Sequence, residues 1–122
     1  MRCLSISLIC LASFAQADPA TIEAVEATHV GQVWRFSVTL SHPDTGWDHY
    51  ADGWRVTTLD GEVLGTRELL HPHVNEQPFT RSLGNVSIPD DITAVLIQAR
   101  DSADGWDENT VTLDLSDPTY AR

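Results

Sequence analysis

Apolar residues recur at every second position along most of the chain, and this period constrains the fold more than any other feature. The clearest run is Trp34, Phe36, Val38 and Leu40, whose members are separated by polar or charged residues. Successive side chains of a strand point to opposite faces, so such alternation is typical of a half-buried β-strand. Segment 21–28 has an apolar spacing that also fits a helix, and we interpret it as a first strand. The pattern predicts seven strands, at residues 21–28, 32–41, 53–59, 62–70, 79–88, 92–100 and 109–115.

Turn-forming residues separate these segments. Asp60-Gly61 is a favoured hairpin pair, Gly84-Asn85 indicates a bulge or turn, and Pro89 ends a strand. Seven short strands without a second core favour one all-β domain over residues 18–122, folded as a two-sheet antiparallel sandwich. The residues expected inside this sandwich are Trp34, Phe36, Val38, Trp54, Val56, Leu83, Val95, Ile97, Val111 and Leu113.

Over residues 18–122 the rhythm of strands resembles that of immunoglobulin-like and fibronectin type III-like domains. The segment VSIPDDITAVLIQA, at 86–99, is similar to the crossover between the fifth and sixth strands of such domains. The chain lacks the paired cysteines and the tyrosine corner of antibody domains, so the fibronectin type III-like variety fits better. The runs HPHVNEQPFTRS and GWDHYADGW also resemble those of small exported bacterial proteins of uncharacterised function. The resemblance therefore implies a fold and no activity.

Residues 1–17 carry the features of a cleavable signal peptide. Arg2 is followed by an apolar run at 4–14 and by an A-x-A motif at 15–17. The run is shorter than the about 20 apolar residues that a membrane-spanning helix needs, and Ile9 before Cys10 does not suit a lipidation signal. We therefore expect export to the periplasm or the medium of a bacterial host, with a mature chain that starts at Asp18.

Cleavage at this point would leave a thiol-free and strongly acidic domain. Both cysteines lie within residues 1–17, and all basic residues of the chain are arginine. Only Arg2 is lost, so the formal charge changes from −11 for the whole chain to −12. Phosphate binding requires a basic surface, which argues against nucleic acid or anionic membranes as partners. A cation, a protein or a glycan remains as a partner of an expected monomer, although acidity alone also fits a role in solubility.

The sandwich topology predicts that three long connections meet at one end of the domain. Successive antiparallel strands reverse direction, so alternate connections share an end. The connections at 42–52, 71–78 and 101–108 contain four of the five histidines and many of the acids. Because loops on a rigid scaffold commonly carry function, this end is the predicted ligand-binding region.

The run HPHVNEQP in the second of these connections indicates a divalent-metal site. Proline favours an extended backbone in the residue before it, and residues two apart on an extended chain point to the same side. The predicted ligand set is His71, His73, Glu76 and His49. Imidazole and carboxylate ligands together indicate zinc or copper(II). The alternative is that the two histidines of this run only end a strand and face solvent.

Two other groups of residues compete for the same end. The loops share a partial repeat, Gly46-Trp47-Asp48-His49 and Gly105-Trp106-Asp107-Glu108. Calcium is a less favoured candidate than zinc or copper(II), and it requires a cage of oxygen ligands. The surrounding carboxylates could supply these oxygens. They are Asp44, Asp48, Asp52, Asp101, Asp104 and Asp107. Alternatively, Trp47 and Trp106 are contact anchors for a protein or glycan, or they fold inward as a lid on the core.

No catalytic motif is recognisable in residues 18–122. The segment has no GxSxG or HExxH motif, no phosphate-binding glycine loop and no thiol nucleophile. Acidic pairs such as Asp48 with Glu76 are expected by chance in so acidic a chain. The sequence therefore predicts a secreted, non-catalytic β-sandwich that binds a divalent metal at its loop end, with protein or glycan binding as the alternative.

Overall fold

The computed structural model describes residues 18–122, and the predicted signal peptide at 1–17 lies outside these residues. Within this range every regular element is a strand, and no helix has the length and apolar character needed to cross a bilayer. The eight strands of the range are β1 (Thr21–Val30), β2 (Val33–Ser41), β3 (Ala51–Thr57), β4 (Val63–Glu68), β5 (Phe79–Val86), β6 (Ala94–Asp101), β7 (Gly105–Asp114) and β8 (Thr119–Ala121). The all-β prediction is confirmed. The predicted number of seven is wrong by one, because β8 is too short to show alternation.

The strands form two antiparallel four-stranded sheets. The first sheet has the order β5-β2-β1-β8, and the second has the order β4-β3-β6-β7. β1 pairs with β2 from Thr21 opposite Ser41 to Val30 opposite Val33. One cluster of buried apolar side chains contains residues from both sheets. The two sheets therefore share a core, which is consistent with a sandwich.

The buried core is close to the predicted one, with three corrections. The predicted residues that are buried are Phe36, Val38, Trp54, Val56, Val95, Ile97 and Leu113. Trp34, Leu83 and Val111 are only partly buried and pack against the cluster. The register of β2 against β5 shifts next to Trp34, whose indole stacks on the His29 ring with centroids 4.6 Å apart. Alternation alone does not reveal that this tryptophan lies at the margin of the core.

The alternation predicts that the last long strand begins at residue 109, whereas β7 begins at Gly105. Gly105 has a φ of 79°, a left-handed conformation that favours glycine and permits a short turn after Asp101. Trp106 and Asp107 are therefore strand residues rather than loop residues. Trp106 lies opposite Arg100 of β6, so the outer face of the second sheet presents this tryptophan.

The predicted meeting of three connections at one end is confirmed. The backbone N of Ser102 donates to the carbonyl oxygen of Tyr50 at 2.9 Å. The backbone N of His73 donates to Oδ2 of Asp44 at 2.8 Å. We call this end the loop pole, which comprises residues 42–50, 71–78 and 102–104.

Candidate functional site

Asp44 is the central hydrogen-bond acceptor of the loop pole. Its Oδ1 accepts from Nδ1 of His42 at 2.5 Å and from the backbone N of Ala51 at 3.0 Å. Its Oδ2 accepts from the backbone N of His73. An ionised carboxylate is an acceptor with several lone pairs, which suits three donors. The Asp44 oxygens, which the sequence suggests as calcium ligands, therefore accept hydrogen bonds that join two loops to the start of β3.

His42 is not among the site residues that the sequence predicts, although it is 2 % exposed and lies at the centre of this network. Its Nδ1 faces Asp44, and its Nε2 lies 2.8 Å from the carbonyl oxygen of Asp18. A carbonyl oxygen only accepts, so Nε2 of His42 donates to Asp18. The His42 ring is therefore held at both nitrogens, by the Asp44 carboxyl group and by the carbonyl oxygen of Asp18. The one available signal is the run His42-Pro43-Asp44, which has the spacing of the H-P-H run.

His49 and Asp101, both predicted for a ligand site, belong to the same internal network. Nε2 of His49 lies 3.2 Å from Oδ1 of Asp101, and the His49 ring meets the His42 ring edge-on with centroids 4.6 Å apart. Asp101 also accepts from the backbone N atoms of Ala103 and Asp104. These contacts hold the turn between β6 and β7.

The structure brings His71 and His73 together, but in different environments. Their ring centroids are 4.6 Å apart, and His71 is exposed whereas His73 is buried and stacks on Phe79 at 3.9 Å. Nη2 of Arg81 donates to Nε2 of His73 at 2.9 Å, so His73 is neutral with its proton on Nδ1. Burial lowers the pKa of His73 from its ordinary value of 6.5, and the charges of Arg81 and His71 lower it further.

The predicted set of four metal ligands is not assembled. The Glu76 side chain is 64 % exposed and lies 3.8 Å from the guanidinium of Arg81, while His49 is bonded to Asp101. Across residues 18–122, no three His, Cys, Asp or Glu side chains are grouped so that they could hold one metal ion. The cation of Arg81 beside both His73 and Glu76 would also repel a metal ion. Among residues 18–122, the carboxylates considered for calcium are likewise not grouped into a site. They are Asp44, Asp48, Asp52, Asp101, Asp104 and Asp107.

A groove crosses the outer face of the second sheet at the end nearest the loop pole. Its volume is about 400 Å³, within the range of sites that bind small molecules. Gly53 keeps the groove open, because a Cβ at this position would lie 3.3 Å from the carbonyl oxygen of Arg67 and 3.9 Å from the Trp106 ring. The groove is defined by Tyr50, Asp52, Gly53, Thr66, Arg67, Glu68, Leu69, Leu70, Arg100 and Trp106.

Two irregularities in the strand register shape the groove. The pairing of β3 with β6 shifts around Asp52, which is an extra residue in β3. The pairing of β6 with β7 shifts between Gln98 and Arg100, so that Arg100 lies opposite Trp106. Bulges redirect side chains and are common beside functional sites. Here they bring an acid, a base and an indole to one groove.

Three aromatic side chains lead from the loop pole into the groove. Trp47 is 68 % exposed, and its ring meets that of Tyr50 edge-on at 5.6 Å. Tyr50 and Trp106 line the groove. The guanidinium of Arg55 lies 3.9 Å over the Trp106 ring, and this cation–π contact holds the indole in place. Neither tryptophan belongs to the core cluster, so the alternative of an inward lid is wrong.

An ion pair forms the polar part of the groove. Nη1 of Arg100 donates to Oδ2 of Asp52. Oδ1 of Asp52 and Nε of Arg67 are buried and have no hydrogen-bond partner in the part of the chain that the structure describes. Such atoms are rare and costly in folded proteins, and a ligand is one explanation for them. The sequence prediction names Asp52 only for calcium and does not identify Arg100 or Tyr50, since their proximity depends on the bulges.

The chain is similar to part of a protein from Halomicrobium mukohataei whose description reads "Putative lipoprotein". The two are 44 % identical over 84 residues, which cover 69 % of this chain and 41 % of the relative. The chain therefore spans less than half the length of this relative. No protein-family model matches the chain, and no solved structure matches it.

Proposed function

We propose that the chain is an extracytoplasmic, non-catalytic β-sandwich that binds a glycan in the groove. The observation that carries this proposal is the meeting of Trp106, Tyr50 and the Asp52–Arg100 ion pair along one face of a sheet. Sugar rings have apolar C–H faces and polar hydroxyl edges. An aromatic ring has a negative π face that attracts C–H groups, and carboxylate and guanidinium groups hydrogen-bond hydroxyls. Because the Arg55 guanidinium lies over one face of the Trp106 ring, a sugar ring in the groove would contact the other face of the indole together with the ion pair.

Trp47 supports an extended glycan rather than a single sugar. It lies against Tyr50, outside the groove and largely exposed. Aromatic side chains provide large and rigid contact areas at a small cost in conformational entropy. A chain of sugars that fills the groove would therefore continue across Tyr50 onto Trp47.

The proposed fold type is fibronectin type III-like. When β1 to β7 are taken as strands A, B, C, C′, E, F and G, the observed sheets are E-B-A and C′-C-F-G. Immunoglobulin-type sandwiches divide their strands in this way, with A, B and E opposite C, F and G. β8, which extends the first sheet beside β1, is a departure from that pattern. In this scheme the groove lies on the C′-C-F-G sheet.

The proposed extracytoplasmic location has two supports. The description of the relative as "Putative lipoprotein" fits a protein outside the cytoplasm. Residues 1–17 independently have the pattern of a cleavable signal peptide. Both observations support a location outside the cytoplasm, where glycans are accessible.

Trp106→Ala is expected to weaken glycan binding about 30-fold, because a central aromatic contact typically contributes about 2 kcal/mol. An array of soluble neutral and acidic polysaccharides would identify the bound glycan, and calorimetric titration would measure its Kd. Trp47→Ala is expected to cause a smaller loss, since Trp47 lies outside the groove.

Leu59→Ala is the matched control for these changes. Leu59 is 61 % exposed and follows β3 at the end of the domain opposite the loop pole, so its removal should leave the Kd unchanged. Thermal unfolding would establish that each variant is folded. Absence of binding to every polysaccharide of the array, or unchanged binding by a folded Trp106→Ala variant, would refute the proposed function.

A second candidate function is zinc or copper(II) binding at His71 and His73. The observation that favours it is the 4.6 Å separation of their ring centroids. Zinc sites commonly combine imidazole ligands with water. The opposing feature is Arg81, which holds Nε2 of His73 and carries a positive charge.

Zinc is therefore expected to stabilise an Arg81→Gln variant more than the unchanged protein. Stabilisation follows the ratio of ligand concentration to Kd and reaches about 2.7 kcal/mol at a hundredfold excess. The measurement is the thermal unfolding midpoint with and without zinc or copper(II), with Arg35→Gln as the control arginine. If a His71→Ala/His73→Ala double variant responds to either metal as the unchanged protein does, this candidate is wrong.

A further inference from the structure

We infer that the Asp52–Arg100 pair recognises a vicinal diol, that is, two hydroxyls on neighbouring carbons of an uncharged sugar ring. This inference rests on the proposed glycan binding and names the chemical group that the groove selects. It assigns to Asp52 and Arg100 the polar recognition and to Trp106 the contact with the apolar face of the ring.

The ion pair holds one unpaired acceptor and several donors side by side. Oδ2 of Asp52 accepts from Arg100, whereas Oδ1 has no partner among residues 18–122. A guanidinium has five N–H groups, of which the pair uses one. One hydroxyl that donates to Oδ1 and a neighbouring hydroxyl that accepts from Arg100 would match this arrangement. Because Oδ1 is buried, neighbouring atoms must move before the first hydroxyl can reach it.

The backbone holds this pair in place. The carbonyl oxygen of Asp52 accepts from the backbone N of Leu69 at 3.0 Å, which ties the bulge in β3 to the end of β4. The Asp52 side chain is 14 % exposed and that of Arg100 is 38 % exposed, so the carboxylate is the better fixed of the two. Hydroxyls on adjacent ring carbons lie close together, so two of them can contact the neighbouring acceptor and donor of one ion pair. Hydroxyls on distant carbons point apart and cannot.

The charges around the groove favour an uncharged sugar over a uronate. Asp52 neutralises Arg100, and the groove lining also contains one further acid and one further base, Glu68 and Arg67. Arg55 is engaged with Trp106 and donates to Gln98. The lining therefore offers no net positive charge to a sugar carboxylate, and the chain as a whole, with a formal charge of −11, disfavours an anionic ligand.

The test compares neutral polysaccharides before and after periodate oxidation, which cleaves the bond between two hydroxyl-bearing carbons and converts them to aldehydes. The probes are a glucan, a mannan, a galactan and a xylan linked through carbon four, whose rings carry vicinal hydroxyls. A glucan linked through carbon three, whose internal rings lack them, and a uronate polymer complete the set. The expected result is binding to at least one probe of the first group, weakened at least tenfold by oxidation.

The outcomes separate this inference from the proposed function. Binding that survives oxidation, or that is restricted to the carbon-three glucan or the uronate polymer, would overturn the diol inference and leave glycan binding intact. Absence of binding to all probes and to the wider array would overturn both. These comparisons use the unchanged protein, so they do not depend on the folding of any variant.

Variants test the assignment of the individual residues. Asp52→Ala is expected to weaken binding to the untreated polysaccharide at least tenfold and to abolish most of the difference that oxidation makes. Glu62→Ala, which removes an exposed carboxylate outside the groove, should leave that difference unchanged. If a folded Asp52→Ala variant still distinguishes treated from untreated polysaccharide, Asp52 is not the group that recognises the diol.

Discussion

Replacing Trp54 with alanine is expected to lower the free energy of unfolding by about 3–5 kcal/mol, the usual cost of removing a large aromatic side chain from a core. Trp54 is 0 % exposed and lies on β3, an inner strand of the second sheet. Its loss would leave a cavity in the core that the two sheets share. Because small domains are stable by only about 5–15 kcal/mol, this change is among the largest that one residue can produce. Urea unfolding followed by circular dichroism measures it.

A Trp54→Phe variant separates the loss of volume from the loss of the indole N–H. Nε1 of Trp54 is buried without a partner among the residues from 18 onward, so phenylalanine removes an unsatisfied donor and fills most of the space. Its cost should be clearly smaller than that of alanine. Leu59→Ala, at an exposed position, should stay within about 0.5 kcal/mol of the unchanged protein. A Trp54→Ala variant as stable as the Leu59→Ala control would show that Trp54 does not support the core.

The strand pattern was predictable because the two faces of each strand differ in their exposure to water. Trp34 and Trp54 show the limit of this reasoning, since both stand in alternating runs and only Trp54 is fully buried. Alternation identifies the face of a strand, whereas the depth of a residue depends on its distance from the sheet margin. The start of β7 was missed for a related reason, because Trp106-Asp107-Glu108 does not alternate where the register shifts.

The location of the candidate sites was partly predictable, and their chemistry was not. The direction of the strands brings three connections to one end, and this follows from topology alone. Arg81 of β5 donates a hydrogen bond to Nε2 of His73. Its position in an alternating run indicates only a strand residue and gives no sign of this contact. The contacts of Asp44 to backbone N–H groups of other segments likewise have no signature in residue type. The groove itself depends on two bulges that no residue pattern reveals.

Asp44→Ala is expected to destabilise the protein by about 3–5 kcal/mol, because it removes the partner of three buried hydrogen bonds and each buried group left unsatisfied costs about 1–3 kcal/mol. Neither the Asp44 carboxylate nor the His42 ring has exposed side-chain surface. The variant would leave Nδ1 of His42 and the backbone N–H groups of Ala51 and His73 without their partner. Urea unfolding at constant pH measures the loss, and an unfolding midpoint equal to that of the unchanged protein would contradict the role of Asp44.

Asp48→Ala is the matched control, because Asp48 is an exposed acid in the same loop. It removes the same charge from the same region and should change stability by less than about 0.5 kcal/mol.

The comparison also links the loop pole to the groove. The backbone N–H of Ala51 donates a hydrogen bond to Asp44, and Ala51 immediately precedes Asp52 of the groove. Asp44→Ala should therefore loosen the bulge that positions the ion pair. Under conditions where both variants remain folded, we therefore expect weaker glycan binding by Asp44→Ala and unchanged binding by Asp48→Ala. Equal affinities would show that the groove is held by the sheet alone.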